Sequence, residues 1–503
     1  MPIVHDWLAR RASLAPERTA LIDSLRGGRC ISWHEWNTAA HQTALLLRDL
    51  GVGLGDRVAV LAFNGVETLD LVFACAKLGA VLQPLNWRLG TEELHGLLSD
   101  VAPRVVCFGP EFREQVGVLR PRLPALAHWV PFADPLPHER PFFSREVLSG
   151  ALPSLELEPD APWVLCSTGG STGLPKSAVL THGSLTANAV NTVVSWGLSQ
   201  DDIALLNAPL FHTGGLNVFT LPLVYVGGAS VVCRGFDVEQ CFDFIHSGAV
   251  NAVFGVPTMF IEMQRHPRFD SVDFSRIKLL ISGGAPCPAP VFERFFARGI
   301  PFRTGYGLTE AGPNNFFLPV SAMHSHAGFV GVPLFQVEAR VDGEQRPGDV
   351  GELLLRGPHL CAGYWGRPEE TARVFVDGWL RTGDLASRDA QGYFRIEGRS
   401  KDLIISGGEN IHPSEVESVF AGHPDVAEVA VIGVPDPKWG ETPRALVVPR
   451  PGAAPTLEAL VEFCSGRLAR YKLPRTLRLL TALPRTPAGK VDRLALAQLH
   501  GDA

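Results

Sequence analysis

A loop rich in glycine and hydroxyl side chains is the stretch whose residue types most directly suggest chemistry. It runs from residue 167 to residue 177 (STGGSTGLPKS), between two apolar segments, 161–166 and 177–181, that are typical of short strands. Glycines let backbone N–H groups approach an anion closely, the hydroxyls add donors, and Lys176 adds a positive charge. The loop therefore has the composition of a phosphate-binding site.

Several interpretations of this loop compete. A G-x-x-x-x-G-K-[ST] phosphate loop fits Gly170 and Lys176, but Pro175 stands where the second glycine is required, and a strand is expected to follow instead of a helix. A G-x-S-x-G nucleophile turn matches residues 169–173, but that motif needs a strand–turn–helix context. A loop that closes on the pyrophosphate part of ATP and an ordinary glycine–serine hairpin remain, and the loop alone does not separate them.

The composition is that of a globular protein with more than one domain. The chain has 503 residues, of which 46% are hydrophobic and 19% charged. A net charge of −7 provides no basic excess for a nucleic-acid backbone, so nucleic acid is not expected as a partner. Nine cysteines without a C-x-x-C pair indicate reduced thiols in a cytoplasmic protein and argue against a disulfide framework or a zinc site.

One uncharged stretch, 203–233, is long enough to span a membrane. It is interrupted by Pro209, Pro222 and two glycine pairs, which favours a buried strand–helix–strand, because strands of parallel sheets are near-continuous hydrophobic runs. The N-terminus shows no apolar core of a secretion signal. We therefore expect no transmembrane segment, while peripheral membrane contact stays open.

The order of the apolar segments predicts an α/β protein. Alternating segments indicate βαβ units and a parallel sheet, with strands at 57–63, 80–85, 104–108, 229–233, 252–254 and 279–282 and helices at 67–77 and 91–100. The proline-rich stretch 110–160 is predicted to be irregular, and short strands after residue 330 predict a barrel-like subdomain. The last hundred residues predict a small α+β unit, with a capping box at 414–417 (SEVE) and a second helix at 456–471. We place the boundary near residue 400, giving an N-terminal domain of residues 1–400 and a mobile C-terminal domain of residues 401–503.

Five further segments offer groups that suit a nucleotide. They are 282–286 (SGGAP), where a base can lie against the backbone; 304–310 (TGYGLTE), with an aromatic face and a carboxylate; 381–384 (RTGD), with a carboxylate suited to ribose; 398–402 (GRSKD), with an arginine; and 484–490 (PRTPAGK), with a lysine in a flexible loop.

With these motifs in this order, the chain resembles the adenylate-forming acyl-CoA synthetases, the superfamily of acyl-CoA ligases, luciferases and peptide-synthetase adenylation domains. The resemblance covers nearly the whole length, and segments 209–212 (PLFH), 405–411 (ISGGENI) and 437–441 (PKWGE) are most similar to the branch that acts on fatty acids. The loop has TGGSTG where TSGTTG is usual, and Ser177 replaces a common glycine. Neither departure removes a type of donor, so ATP remains the expected substrate.

The resemblance implies a reaction in two steps and a set of residues for it. A carboxylate attacks the α-phosphate of ATP to give acyl-AMP and pyrophosphate, and the thiol of CoA then displaces AMP. Thr309 is implied at the α-phosphate, Glu310 as the Mg²⁺ ligand, and Lys490 as the catalytic bridge between the carboxylate and the α-phosphate. The nucleotide site comprises Thr168, Gly169, Gly170, Ser171, Thr172, Gly173 and Lys176 at the β- and γ-phosphates; Gly283, Gly284, Ala285, Tyr306 and Gly307 at adenine; and Asp384 and Arg399 at the ribose.

The resemblance also implies a hinge, a CoA site and an acyl pocket. The hinge is Lys401, the CoA site is Gly407, Gly408, Trp439, Tyr471, Lys472 and Arg475, and the acyl pocket is His212, Gly214, Gly215, Phe254 and Gly305. A tryptophan beside basic residues is also a common packing arrangement, so the CoA interpretation of 439–475 has an equal structural alternative. Gly215 and Gly305 are expected to leave room for an extended or bulky acyl chain.

These implications add up to an AMP-forming, Mg²⁺-dependent acyl-CoA ligase. A medium- or long-chain fatty acid is the first expectation for the substrate. An aryl- or cyclic-acid CoA ligase, a luciferase-type reaction and an adenylation enzyme that loads a carrier protein are the alternatives. The expected partners are the small-molecule acid, ATP and CoA, and the sequence leaves a homodimer open.

Overall fold

Two large sheets with helices packed against them form the chain as far as Thr304. The computed structural model describes residues 4–168, 176–406, 409–437, 439–464, 467–486 and 489–499. One sheet has seven strands in the order Phe302–Thr304, Leu279–Ser282, Ala252–Gly255, Ile203–Leu206, Ala229–Val232, Thr19–Asp23 and Arg29–Ser32. The other has six, in the order His128–Pro131, Val105–Phe108, Arg57–Leu61, Val81–Pro84, Pro162–Thr168 and Lys176–Thr181. Neighbouring strands are parallel except for the pair at one edge of each sheet, which confirms the predicted α/β class.

The helices of this part cover the sheets and fill the space beside them. They are Trp7–Leu14, Trp33–Asp49, Val66–Leu78, Thr91–Val101, Arg113–Leu119, His182–Trp196, Thr213–Gly215, Leu221–Val226, Val238–His246, Pro257–Arg265 and Ala289–Phe296. Helix 33–49 begins at a capping box formed by Ser32 and Glu35. Helix 66–78 is buried on almost every side, as its apolar sequence requires, and its single cation, Lys77, is paired with Asp6 at 2.7 Å.

Two stretches show how well the local sequence predicted secondary structure. The uncharged stretch 203–233 folds as the expected strand, helical segment and strand, and no helix among the described residues is long and apolar enough to cross a membrane. The prediction that residues 110–160 are irregular is wrong in part, because helix Arg113–Leu119 and strand His128–Pro131 lie there. That strand is parallel to Val105–Phe108 at the sheet edge, where a proline in the strand is tolerated.

The short strands predicted after residue 330 form an antiparallel sheet of five strands. Its strands are Glu338–Val341, Gly351–Arg356, Trp379–Arg388, Phe375–Val376 and Phe394–Arg399, with helix Pro368–Val374 beside them and a two-stranded ribbon, Phe316–Phe317 with Val332–Pro333, before them. Strand 379–388 is the centre of the sheet, since it pairs with 351–356, 375–376 and 394–399.

The last hundred residues form the predicted α+β unit around a second five-stranded sheet. Its strands are Glu409–Ile411, Ile404–Ser406, Gly440–Pro449, Val426–Asp436 and Thr476–Leu479, and its helices are Pro413–Phe420, Leu457–Phe463 and Arg493–Gln498. The predicted capping box is wrong: Pro413 already occupies the first turn, so Ser414 lies inside the helix and donates to the backbone carbonyl of Glu397. The second helix ends at Phe463, well before residue 471. The boundary at residue 400 stays a prediction; Arg399 is the last residue of one sheet and Ile404 the first of the next.

Candidate active site

Two neighbouring parallel strands bring the adenine segments together. Strands 279–282 and 302–304 are in register, with Ser282 opposite Thr304, so the segments that follow both strands leave the same edge of the sheet. The amide of Gly305 donates to the carbonyl of Ser282 at 2.7 Å, and a Cβ added to Gly283 would lie 3.4 Å from the carbonyl oxygen of Gly305. The sequence-predicted residues 283–285 and 305–307 therefore line one edge.

A tyrosine, a carboxylate and an arginine meet beside this edge. The hydroxyl of Tyr306 donates to Asp384 Oδ2 at 2.6 Å, and Arg399 Nε lies 3.2 Å from Asp384 Oδ1. Asp384 and Arg399 face each other across an antiparallel pair of strands, which fixes their approach. Burial raises the pKa of Asp384, while the Arg399 cation and the Tyr306 hydroxyl oppose that rise. Burial also raises the pKa of Tyr306, so its hydroxyl stays a donor.

Glu310 and Lys176 are joined through Tyr364. The Tyr364 hydroxyl donates to Glu310 Oε1 at 2.7 Å, and the Lys176 ammonium lies 5.2 Å from the centre of the Tyr364 ring. Lys176 also forms an ion pair with Glu370. Tyr364 reaches this place because it forms a β-bridge with Ala178, which follows Lys176 in the same strand. Glu310, Tyr364 and Arg373 line an open cleft of about 300 Å³.

Glu310 suits Mg²⁺ that arrives with a nucleotide. The described residues contain no group of three or more His, Cys, Asp or Glu side chains that could hold a metal by themselves. Mg²⁺ is typically bound through one or two carboxylates together with substrate phosphates and retained waters. A single carboxylate oriented by a tyrosine hydroxyl fits that donor set.

Lys490 comes to the same place from the C-terminal unit. Its loop is closed by a hydrogen bond from the Thr486 amide to the Lys490 carbonyl at 2.7 Å and by a bridge between Arg485 and Val491. Lys490 is exposed at the surface of the site, where desolvation by the surrounding protein lowers its pKa and the Arg399 cation lowers it further. Asp384 and Glu310 act in the opposite direction, which places Lys490 among the charged groups of this site.

His212 and Phe254 stand at the predicted acyl pocket. Desolvation lowers the pKa of His212 to about 4, with further lowering by Lys490 and Arg88, so the ring is neutral near pH 7 and lies near Lys490. Its Nδ1 accepts from the amide of Gly214 at 3.4 Å. The Phe254 ring lies between two glycines, since an added Cβ would approach it to 3.0 Å at Gly214 and 3.1 Å at Gly283. The cavity beneath Phe254 measures about 10 Å³, so this ring forms a wall.

The structure shows close packing at Gly215 and Gly305, and whether they also leave room for the acyl chain stays a prediction. A Cβ at Gly215 would lie 2.3 Å from the carbonyl oxygen of Pro209. A Cβ at Gly305 would lie 3.1 Å from the side chain of Ile281. Both glycines serve close packing of the chain on itself.

The remaining predicted residues are placed as follows. Thr168 ends a strand, Thr309 is buried in a turn, Lys401 lies in an exposed turn, Tyr471 is exposed, Lys472 is paired with Glu415 at 2.7 Å, and Arg475 stacks on Trp439 at 4.9 Å. Gly169, Gly170, Ser171, Thr172, Gly173, Gly407 and Gly408 lie outside the described residues. The functional roles assigned to all of these stay predictions.

Three residues at the site were missed by the sequence analysis. They are Tyr364 and Glu370, described above, and Arg88, whose guanidinium stacks on Trp87 at 4.2 Å and on Phe211 at 5.6 Å beside His212. Tyrosine is rare in this chain, with 5 in all, and that rarity was the available signal for Tyr364. Glu370 and Arg88 lie in ordinary polar sequence and offered none.

Comparison with known proteins places the chain in a family. Residues 8–365 match the family of AMP-binding enzymes, and residues 415–490 match the AMP-binding enzyme C-terminal domain. The chain therefore belongs to the AMP-binding enzymes. The relatives described next are named as CoA ligases or a CoA synthase, and the match covers nearly the full length of each. Within that family the chain is therefore an adenylate-forming acyl-CoA synthetase, an acid–thiol ligase that forms AMP.

The relatives differ in the acid that their names carry. The chain is 41% identical to a feruloyl-CoA synthase of Amycolatopsis sp, with 96% of each chain covered. It is 37% identical to an indoleacetate–CoA ligase of Aromatoleum aromaticum (99% and 98% covered) and 35% identical to a long-chain-fatty-acid–CoA ligase of Mycobacterium tuberculosis (98% of each). Among solved structures, o-succinylbenzoate CoA synthetase from Bacillus subtilis in complex with ATP and magnesium ion superposes with a TM-score of 0.87 at 30% identity, covering 100% of both chains.

Proposed function

We propose that the enzyme activates an aromatic carboxylic acid with ATP and Mg²⁺ to give acyl-AMP and pyrophosphate, and then transfers the acyl group to CoA. The observation that carries this proposal is the convergence of Lys490 with Glu310, Asp384 and Arg399 on one site from two parts of the chain that belong to different sheets. The first step builds negative charge around the α-phosphorus, and the second builds it on the carbonyl oxygen of acyl-AMP as AMP leaves, so both need cations and donors fixed in advance around the acyl-phosphate position.

Each group has a task that its chemistry suits. Asp384 accepts from the ribose hydroxyls, with Arg399 beside it, and the Tyr306 ring faces adenine. Lys176 pairs with the β- and γ-phosphates, and Lys490 neutralises charge between the attacking carboxylate and the α-phosphate. Glu310, held by Tyr364, would bind Mg²⁺, which supplies charge neutralisation on the phosphate oxygens when it is bound.

An aromatic acid is favoured over a fatty acid as the substrate. The half-buried Phe254 ring, which lies between Gly214 and Gly283, gives the predicted acyl pocket an aromatic wall against which an aryl ring can pack. The two relatives with the higher identities above are named for feruloyl and indoleacetate, which supports the same class. A medium- or long-chain fatty acid is the second candidate, and the relative named for long-chain fatty acids supports it.

A substrate panel separates these candidates. Purified protein is incubated with Mg²⁺-ATP and CoA plus ferulate, indoleacetate, benzoate, octanoate or palmitate, and both the nucleotide and the thioester are identified by mass. We expect AMP and an aryl-CoA, with kcat/KM for the best aryl acid at least ~10-fold above octanoate, about the discrimination that one well-packed apolar contact provides. A higher kcat/KM for octanoate or palmitate would establish the fatty-acid alternative. AMP without any thioester would point to loading of a carrier protein.

We further propose that residues 401–503 turn as a unit about Lys401 between the two half-reactions, carrying Lys490 away after adenylation. The exposed turn at Ser400–Asp402 between the two sheets supports this assignment. Lys401→Pro, which restricts backbone rotation at that position, should leave adenylation measurable and slow thioester formation. Equal slowing of both steps would count against a hinge at this residue.

A further inference from the structure

Glu370 is a carboxylate in contact with the ammonium group that is proposed to bind the ATP phosphates. It lies on helix Pro368–Val374 and is paired with Lys176, whose ammonium also faces the Tyr364 ring. Lys176 belongs to the six-stranded sheet, and Glu370 belongs to a segment almost two hundred residues further along the chain. The pair therefore joins two parts of the protein at Lys176, the last residue of the segment predicted to bind phosphate.

The pair is built into the structure and is not a loose surface contact. The side chains of Lys176 and Glu370 are 32% and 31% exposed, so each is largely covered by protein. On its other side Glu370 faces Arg367, whose Nε lies 3.9 Å from Glu370 Oε1, and Arg367 is itself paired with Asp100 at 3.0 Å. The hydrogen bond with Lys176 lowers the pKa of Glu370, which keeps the carboxylate ionised at neutral pH.

We propose that Glu370 is the resting counter-ion of Lys176. It forms an ion pair with the ammonium group until the phosphates of ATP displace it, and the ion pair forms again when pyrophosphate leaves. This inference rests on the proposed function. The phosphates and the Glu370 carboxylate are anions that compete for one cation. Glu370 is a positioning residue, since it acts on the nucleotide only through Lys176.

The competition has a predictable sign for every phosphate ligand. If Lys176 is free in only a fraction of the molecules, the apparent dissociation constant of a phosphate ligand is raised by the reciprocal of that fraction. Removing the Glu370 charge should therefore tighten both Mg²⁺-ATP and pyrophosphate. The enzyme would bind ATP better but release pyrophosphate more slowly, which is the disadvantage that a resting counter-ion avoids.

The test is equilibrium binding of Mg²⁺-ATP and of Mg²⁺-pyrophosphate by calorimetry, which does not depend on the identity of the acid. For Glu370→Gln we expect both dissociation constants to fall by roughly 3- to 10-fold, corresponding to Lys176 being free in about 10–30% of the resting molecules. Glu370→Asp keeps the charge and should remain close to the wild type. Glu369→Gln, an exposed carboxylate on the same helix, is the matched control and should change neither constant.

A double-mutant cycle distinguishes a counter-ion from general repulsion of phosphate by Glu370. In a Lys176→Gln background, Glu370→Gln should have no further effect on either ligand, because the ammonium for which the two anions compete is gone. Tightening that persists in that background would overturn the proposal, and so would unchanged binding in the single variant when its thermal unfolding matches the wild type. Failure of the wild type to bind Mg²⁺-ATP would instead contradict the proposed function.

Discussion

Two lysines reach the candidate active site, and they are held in opposite ways. Lys176 begins a strand of the six-stranded sheet, and its ammonium is already engaged by Glu370 and by the face of Tyr364. Lys490 lies in a loop of the C-terminal unit, and no residue of the described chain forms an ion pair or a hydrogen bond with its ammonium. Desolvation and the Arg399 cation lower its pKa, and the Asp384 and Glu310 charges offset part of that.

The difference matches two kinds of electrostatic task. A cation that binds the same ligand in every turnover can have a resting partner, because the exchange of one anion for another costs little. A cation that must stabilise charge as it develops does most when it is desolvated and has no partner to give up. The paired lysine is thus suited to binding, and the unpaired one to the chemical step.

The largest effect is expected from Lys490. Lys490→Gln should slow formation of acyl-AMP by roughly 10²- to 10³-fold, the usual scale for losing one preorganised charge-stabilising group. It should largely spare the second half-reaction, in which CoA takes the acyl group from supplied acyl-AMP and AMP leaves. Single-turnover assays of the two half-reactions measure both rates.

The matched control for Lys490 is Arg485→Gln. Arg485 lies in the same loop and pairs with Glu428 at 2.6 Å. This variant should leave adenylation within a few-fold of the wild type. An equal loss in both half-reactions for Lys490→Gln would show that Lys490 acts in both steps, and the contrast between the two lysines would then lose its basis.

Tyr364 is expected to have the next largest effect, because it contacts both Glu310 and Lys176. Tyr364→Phe keeps the ring beside Lys176 but removes the hydroxyl that orients the Glu310 carboxylate. Loss of such an orienting partner typically weakens a metal site by about 10- to 100-fold, so the Mg²⁺ concentration for half-maximal adenylation should rise by at least ~10-fold. Tyr393→Phe, whose ring packs on His326 at 4.3 Å, serves as the control. An unchanged Mg²⁺ requirement in Tyr364→Phe would remove Tyr364 from the metal site.

What the sequence predicted at this site follows from backbone geometry. Residues 283–285 and 305–307 are side by side because they follow parallel strands, and Asp384 meets Arg399 because their strands pair in register. Such relations are implied once the order of strands is known. Tyr364 and Glu370 are brought to the site by a β-bridge between Tyr364 and Ala178, and no local sequence pattern predicts that bridge.

The glycines of the predicted acyl pocket show a different limit. A glycine in the sequence says that a side chain is absent, but not what fills the space. At Gly215 the backbone of Ala208 and Pro209 fills it, and at Gly305 the side chain of Ile281 does. The expectation of an extended acyl chain depended on that distinction, which only tertiary packing decides.

The pH dependence of adenylation tests the unpaired state of Lys490 more finely. Because its pKa is lowered, Lys490 should lose its proton, and with it the rate of adenylation, at a pH below ~10.4, the ordinary value for lysine. Lys490→Arg stays charged to much higher pH, so its alkaline limb should move upward, although a lower maximum rate is expected because a planar guanidinium differs in shape from an ammonium. The measurement is kcat/KM for acyl-AMP formation from pH 7 to 10.5. An alkaline limb at the same pH in both proteins would assign it to another group.

The smallest effect on activity is expected from substitution of His182. This residue tests how titration of a buried histidine affects stability in acid, apart from any titration at the active site. Its ring stacks on Trp163 at 4.6 Å and is 1% exposed, and neither ring nitrogen has a hydrogen-bond partner among the described residues. Burial, with a further contribution from His5, lowers the pKa of His182 to about 3. The unfolded chain therefore takes up this proton near pH 6.5 while the folded protein does not, so stability is lost as the pH falls from that value towards 3.

His182→Phe keeps the stacked ring and should remove roughly 2 kcal/mol of this loss at pH 5. Urea unfolding at pH 7.5 and pH 5 measures the change, with exposed His34→Phe as control, and the adenylation rate at pH 7.5 should not move. A gain of equal size at both pH values would mean that packing, and not titration, explains the difference.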